Sequence, residues 1–268
     1  VCYFNIYEMI ARQYWKERNL AGYLKPDGMN IKIAVIGFGP LGEKILDYGL
    51  MNNIYSINQS ISYHVWGDSR TYEKLFYDFD PMNGDEIVYH KDDWKDELEL
   101  FASFDRIIIA EEPEIELLET LLQYNTGVEI DFYNPTGTLL ADVYAEDQLT
   151  SFGEHAQILT EENIKTDKLY RLAKKLNYSY LVKETDNDDY NWDRPDVEEV
   201  MEAEWEKLSG FYKGSNLACA DYQEIRNLVL DARGIAKESI SEEQFEELSE
   251  LEQYIGPPLV KSFGEYFS

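Results

Sequence analysis

Residues 31–42 read Ile31-Lys32-Ile33-Ala34-Val35-Ile36-Gly37-Phe38-Gly39-Pro40-Leu41-Gly42. An apolar run ends on a Gly-x-Gly-x-x-Gly turn, and Leu41, Ile45 and Leu46 then open a helical spacing. Buried strand, glycine turn and helix in that order are the context the dinucleotide fingerprint requires. Gly37 permits the tight turn. Gly39 keeps a Cβ away from the place where a pyrophosphate would approach. Gly42 allows the helix to pack close on the strand. Pro40 suits the first helical turn, where its missing N–H costs nothing. The helix start then offers free N–H groups and a partial positive charge to a phosphate. Gly37, Phe38, Gly39, Pro40, Leu41 and Gly42 are therefore the expected phosphate-cradling segment.

Outward from this turn, strand and helix patterns alternate over 29–150. Ile61, Tyr63 and Val65 alternate as a second strand, and Glu86–Tyr89 forms a short third. Trp94, Leu98 and Phe101 fall at helical spacing. Arg106–Ala110 is a continuous apolar strand, Leu118, Leu121 and Leu122 mark a helix, and Val128, Ile130 and Phe132 alternate again. Strands separated by helices predict a parallel sheet. Met51–Ser60 reads as an inserted loop, which places Asp68 at the end of the second strand as the acid for the ribose hydroxyls. An ordinary Gly67-Asp68 turn is the alternative. Arg70 either pairs with Asp68 or faces a phosphate. Glu111, Glu112 and Glu114 follow the fourth strand as first-turn acids that favour the helix dipole, or as a ribose or cation contact.

Residues 1–28 read as an aromatic helix and linker ending in the turn Lys25-Pro26-Asp27-Gly28; packing helix and linker from an upstream part are both open. Residues 151–165 read as a connection. Beyond it come four helical stripes: Leu169, Leu172, Ala173, Leu176 and Tyr180; Val197, Val200, Met201 and Trp205; Ala218, Tyr222, Ile225 and Val229; and a helix with Phe245 and Leu248 behind a Ser241–Gln244 capping box. The expected organisation is an N-terminal helical linker (1–28), a Rossmann-like α/β parallel-sheet domain (29–160) and a small, mainly α-helical domain (161–268).

Composition narrows the function. The 268 residues are 44 % hydrophobic and 14 % aromatic, enough for a sizeable core. With 24 basic and 53 acidic residues the net charge is −29, which argues against nucleic-acid binding. Residues 184–206 are the most acidic stretch, read as a solvated face or as a surface for cations or a basic partner. Two distant cysteines and three scattered histidines exclude a disulfide framework and give no metal signature. No apolar run reaches the roughly 20 residues of a membrane span, and no secretory signal is legible. The expected setting is cytoplasmic. The chain starts at Val1, so an upstream segment that tethers it to the inner face of a membrane is also open. A nucleophile elbow and a lysine-bearing Walker loop are absent, and no catalytic residue is assigned.

The glycine segment 33–46 and the run Asp105-Arg106-Ile107-Ile108-Ile109-Ala110-Glu111-Glu112-Pro113-Glu114 resemble the RCK/KTN (TrkA-N-like) family, Rossmann-type nucleotide-binding domains that regulate potassium channels and transporters. Residues 172–180, Trp205-Glu206-Lys207-Leu208 and Ser215–Ala220 resemble a RyR-repeat helical module, with Ser215 as a helix cap. The resemblance implies a regulatory sensor coupled to ion transport or bacterial signalling and defence, holding NAD or another adenine nucleotide, and assembled as a homodimer or higher homo-oligomer. The aromatic residues Tyr3, Phe4, Tyr7, Tyr14 and Trp15 are the expected pairing surface. An NAD(P)-dependent oxidoreductase and an adaptor that has lost its nucleotide are the competing expectations.

Overall fold

A computed structural model describes residues 5–75, 81, 84–124, 127–137, 148–161, 168–184, 190–236 and 239–254. Cys2, Tyr3 and Phe4, and Asp186, Asp188 and Asp189 of the acidic stretch, lie outside the described residues.

Six strands form one parallel sheet: β1 (Met29–Ile36), β2 (Gln59–Trp66), β3 (Glu86–His90), β4 (Arg106–Ile109), β5 (Glu129–Tyr133) and β6 (Leu149–Phe152). Their order is β3-β2-β1-β4-β5-β6. This is a Rossmann-like sheet followed by helices. Its strand order reverses between β1 and β4, and in such sheets the ligand crevice lies beyond the carboxyl ends at that point. β1 is fully apolar over its last four residues because it is paired on both sides, with β2 and β4.

Three boundaries differ from those expected. β6 and a short helix, α6 (His155–Ile158), occupy the stretch read as a connection; four residues with one alternation are too short a signal for periodicity. α2 (Pro40–Asn52) and β2 leave only 53–58 between them, and that link is not an inserted surface loop: Asn53, Ile54, Tyr55 and Ser56 are buried. The helix expected around Trp94 is a 3₁₀ turn (Trp94–Glu97), capped by Asp93, that runs into a single α-helical turn, α4 (Leu98–Phe101). A short α3 (Arg70–Leu75) follows β2, and α5 (Ile115–Tyr124) follows β4.

α1 (Ile6–Glu17) is a packing helix. Asn5 caps it by accepting from the N–H of Tyr7 and Glu8. Met9, Ile10, Ala11, Tyr14 and Trp15 are buried. Trp15 Nε1 donates to the Ile45 carbonyl at 2.8 Å, and Tyr14 donates to the buried Asp131 at 2.7 Å. Tyr14 and Trp15 are thus interior residues and not a pairing surface.

The C-terminal helices are α7 (Lys168–Glu184), α8 (Val197–Lys207), α9 (Gly210–Ala232) and α10 (Glu242–Gln253). Ala218, Tyr222, Ile225 and Val229 of α9 are buried in the same core as α1 and α2. On α7 the buried residues include Ala173, Lys174 and Tyr178, while Leu172 and Tyr180 are exposed. Phe245 is also exposed. Ser241 and Gln244 form the reciprocal capping box. Ser215 is no cap: it lies inside α9, which Ser209 caps. Trp205 packs with Ala173, Leu217 and Ala220.

Candidate functional site

The crevice sits where the fold places it, beyond the carboxyl ends of β1, β2 and β3. Its cavity of about 550 Å³ is lined by the Gly37-Phe38-Gly39 turn, Trp66-Gly67-Asp68, the His90–Trp94 segment and Glu111.

The three fingerprint glycines separate cleanly by what a side chain would meet. Gly37 has φ +88, which an L side chain rarely adopts. A Cβ on Gly42 would stand 2.5 Å from the Gly37 carbonyl oxygen, so only glycine lets α2 start this close to β1. A Cβ on Gly39 would meet nothing within 4 Å, because that face opens on the crevice. Gly39 is also the N-cap of α2 and has no side chain to cap with, and Pro40 takes the first helical position. The first-turn N–H groups keep their capacity for an anion. The turn is pinned to the neighbouring strand: the N–H groups of Gly37 and Phe38 both donate to the Trp66 carbonyl, at 3.0 and 3.1 Å. Phe38 points inward and meets Tyr72 edge-on at 5.2 Å.

Of the nine residues expected at the site, Gly37, Phe38, Gly39, Asp68 and Glu111 line the crevice. Leu41 is buried in the core and Gly42 serves packing. Asp68 and Arg70 pair with each other on the rim. Arg70 Nε and Nη2 donate to the two Asp68 oxygens at 2.8 and 2.7 Å, which pulls the Asp68 carboxyl down to about 2. Glu111 is not in a helical first turn, since α5 begins at Ile115. Its side chain lies over Gly37, where a Cβ would be 2.7 Å from Glu111 Cγ. The strand reversal explains this, because β4 ends beside β1. Burial, then the charge of Glu114, pushes the Glu111 carboxyl up. Asp68, Asp92, Asp93 and Glu111 against Lys91 make the lining acidic overall.

His90 was not foreseen. With the third strand expected over Glu86–Tyr89 it stands next to a strand and not at a carboxyl end, but it is the last residue of β3 and lines the crevice. It stacks on Trp66 with centroids 3.9 Å apart. Its Nδ1 meets Glu97 at 2.8 Å and its Nε2 meets His64 Nδ1 at 2.9 Å. His64, on the preceding strand, also contacts Ser62. Burial first, then the charges of His90 and Lys32, lower the His64 pKa to about 4. The signal was available: His64 and His90 occupy alternate positions to Trp66 and Val88 on neighbouring strands, but cross-strand register is invisible in one sequence.

No protein-family model matches the chain, and no curated protein matches it. Function therefore rests on the site. His155 is elsewhere, bonded to the Tyr133 hydroxyl at 2.9 Å. A Tyr-x-x-x-Lys spacing of the kind used by some dehydrogenases does occur, as Tyr170 and Lys174 on α7. There the Lys174 ammonium is tied to Glu202 at 2.6 Å and Tyr170 packs under Arg12, away from the crevice lining. Among the described residues no cluster of three or more His, Cys, Asp or Glu is placed to hold a metal ion, and no helix is long and apolar enough to cross a membrane.

Proposed function

We propose that the protein is a nucleotide-binding regulatory protein that holds NAD or another adenine nucleotide in this crevice, in the manner of the RCK-type sensors its glycine segment resembles. One observation carries the reading: the open face of Gly39 at the uncapped start of α2, beside a cavity on the β1–β3 half of the sheet. That half takes the adenosine and its phosphates in dinucleotide folds. The acidic lining favours a ligand of low net charge, so NAD and AMP rank above ATP. Both ring nitrogens of His90 are engaged within the protein, which supports binding over proton transfer to a substrate. Coupling to ion transport, or to bacterial signalling and defence, and assembly as a homo-oligomer extend the same resemblance. Calorimetry with NAD, AMP, ADP and ATP tests the reading. Saturable binding that Gly39→Val abolishes is the expected result. Binding by none of the four, or equal binding by a folded Gly39→Val protein, rejects it.

A further inference from the structure

Five side chains from β2, β3 and the 3₁₀ turn are joined end to end. Glu86 Oε1 lies 2.7 Å from Ser62 Oγ, and Ser62 Oγ lies 3.0 Å from His64 Nε2. His64 Nδ1 lies 2.9 Å from His90 Nε2, and His90 Nδ1 lies 2.8 Å from Glu97 Oε2. The same Glu97 oxygen accepts from Trp66 Nε1 at 2.9 Å.

Each of the four links in this chain needs one hydrogen. Ser62 supplies one, and each neutral imidazole supplies one. Two ionised carboxylates supply none. Three hydrogens cannot fill four links, yet all four stand at hydrogen-bond distance. The complete chain requires one further proton. Its place follows from the surroundings. His64 is buried, and Lys32 of β1 faces it. Its other neighbours are Ser62, the Phe104 and Trp66 rings, and the Glu86 and Glu97 carboxylates, whose pull on a proton is outweighed by burial, His90 and Lys32. His90 has the Glu97 carboxylate in contact and the Trp66 face beneath it, and Lys91, Asp92 and Asp93 follow it in the chain. α4 presents Phe101 to this cluster through Trp66. The extra proton therefore rests on His90. Ser62 then donates to Glu86, His64 donates from Nε2 to Ser62, and His90 donates from both nitrogens.

We propose that the Glu86–Ser62–His64–His90–Glu97 chain is a proton-binding site that sets the crevice's affinity for its nucleotide, which binds more tightly while the extra proton is held. The proposal rests on the crevice being a nucleotide site. Loss of the proton removes the cation stacked on Trp66 and so leaves the surroundings of Asp68, Asp92, Asp93 and Glu111 one unit more negative. An anionic ligand is then disfavoured, and by linkage its binding takes up protons.

With three histidines in the chain, long-range nitrogen–proton NMR of the imidazoles resolves each tautomer without any ligand. The expected spectrum shows His64 neutral with the proton on Nε2, and His90 with hydrogens on both nitrogens while the chain is complete and on one nitrogen once the extra proton has left. NAD affinity by calorimetry should fall about fivefold or more as rising pH removes that proton in the same spectra, with proton uptake read from buffers of different ionisation enthalpy. In Glu86→Gln the amide donates to Ser62 Oγ and supplies the fourth hydrogen with both histidines neutral, so the variant should keep the low-pH affinity throughout. Ser62→Ala shortens the chain to two links that two neutral histidines fill, and should also flatten the profile. Either variant serves if the other does not fold. A His90 that is neutral throughout, or a pH profile unchanged in both variants, overturns the proposal while leaving the nucleotide site standing. A titrating His90 with no NAD binding at any pH overturns the site itself and the coupling with it.

Discussion

Gly39 and Gly42 are one helical turn apart and make opposite demands. At Gly39 a side chain enters open space in ordinary backbone geometry, with φ −103. At Gly42 it collides with the Gly37 carbonyl. Gly39→Val should therefore retain its thermal midpoint and lose nucleotide binding. Gly42→Val should lose about 1–3 kcal/mol of stability through overpacking, read by chemical denaturation. Equal stability losses at the two positions would show that both glycines serve packing alone. Asp68 makes a second prediction at this scale. Its carboxylate is held in a two-point pair by Arg70 on an exposed rim, and it stays ionised at working pH. An acid there repels a 2′-phosphate, so the wild type should prefer NAD to NADP. Asp68→Ala frees Arg70 for that phosphate and should shift the preference toward NADP. Binding of both cofactors that is equal in the wild type and unchanged in the variant would remove Asp68 from the site.

At the scale of elements, the two strands that frame the glycine turn were legible because their crevice ends are unbroken runs of apolar residues. β1 and β4 are buried throughout their crevice ends and read as continuous runs. β6 and the close of β3 were not legible, because a four-residue edge strand and a terminal histidine carry no period. The same limit hid the crevice's histidine chain, which depends on β2–β3 register. α1 shows a further reason. Its aromatic residues suggested an outward surface, but a helix of Tyr and Trp looks the same in sequence whether it covers a partner or its own sheet. What holds it inward is partly electrostatic. Arg12 is buried on α1 and meets Asp221 of α9 through two bonds, at 2.7 and 2.8 Å. Burial works against the Arg12 charge, but Asp221 outweighs it and the guanidinium stays ionised. Asp221→Ala strands that charge and should cost about 3 kcal/mol or more. Denaturant midpoints of the single variants and of the Arg12→Met/Asp221→Leu pair separate stranded charge from lost packing. A cost below about 0.5 kcal/mol for Asp221→Ala alone would show that the pair is no stronger than an exposed salt bridge.

Across the whole molecule the dominant quantity is the charge of −29. Carboxylates crowd the crevice as well as the surface, and the one lysine in its lining is exposed. A phosphate site built from Lys and Arg weakens as salt rises, because added ions screen attraction. In the proposed site the screened term between ligand and protein would be repulsive, while the attraction would come from backbone N–H groups at contact distance from the phosphate, far shorter than the screening length of roughly 10 Å at 0.1 M salt. Affinity should therefore rise, or at least hold, as sodium chloride increases from about 20 to 300 mM, and the thermal midpoint of the free protein should rise with it as surface carboxylates stop repelling one another. The two readouts distinguish their causes. A midpoint that climbs while affinity drops would mean that a cation, with Lys91 or a freed Arg70 as the candidates, holds the ligand in place of the helix start. Lys91→Gln then decides between them: if Lys91 holds the phosphate, the substitution removes the salt-weakened part of the binding, and if the backbone of α2 does, affinity changes little and keeps its upward slope.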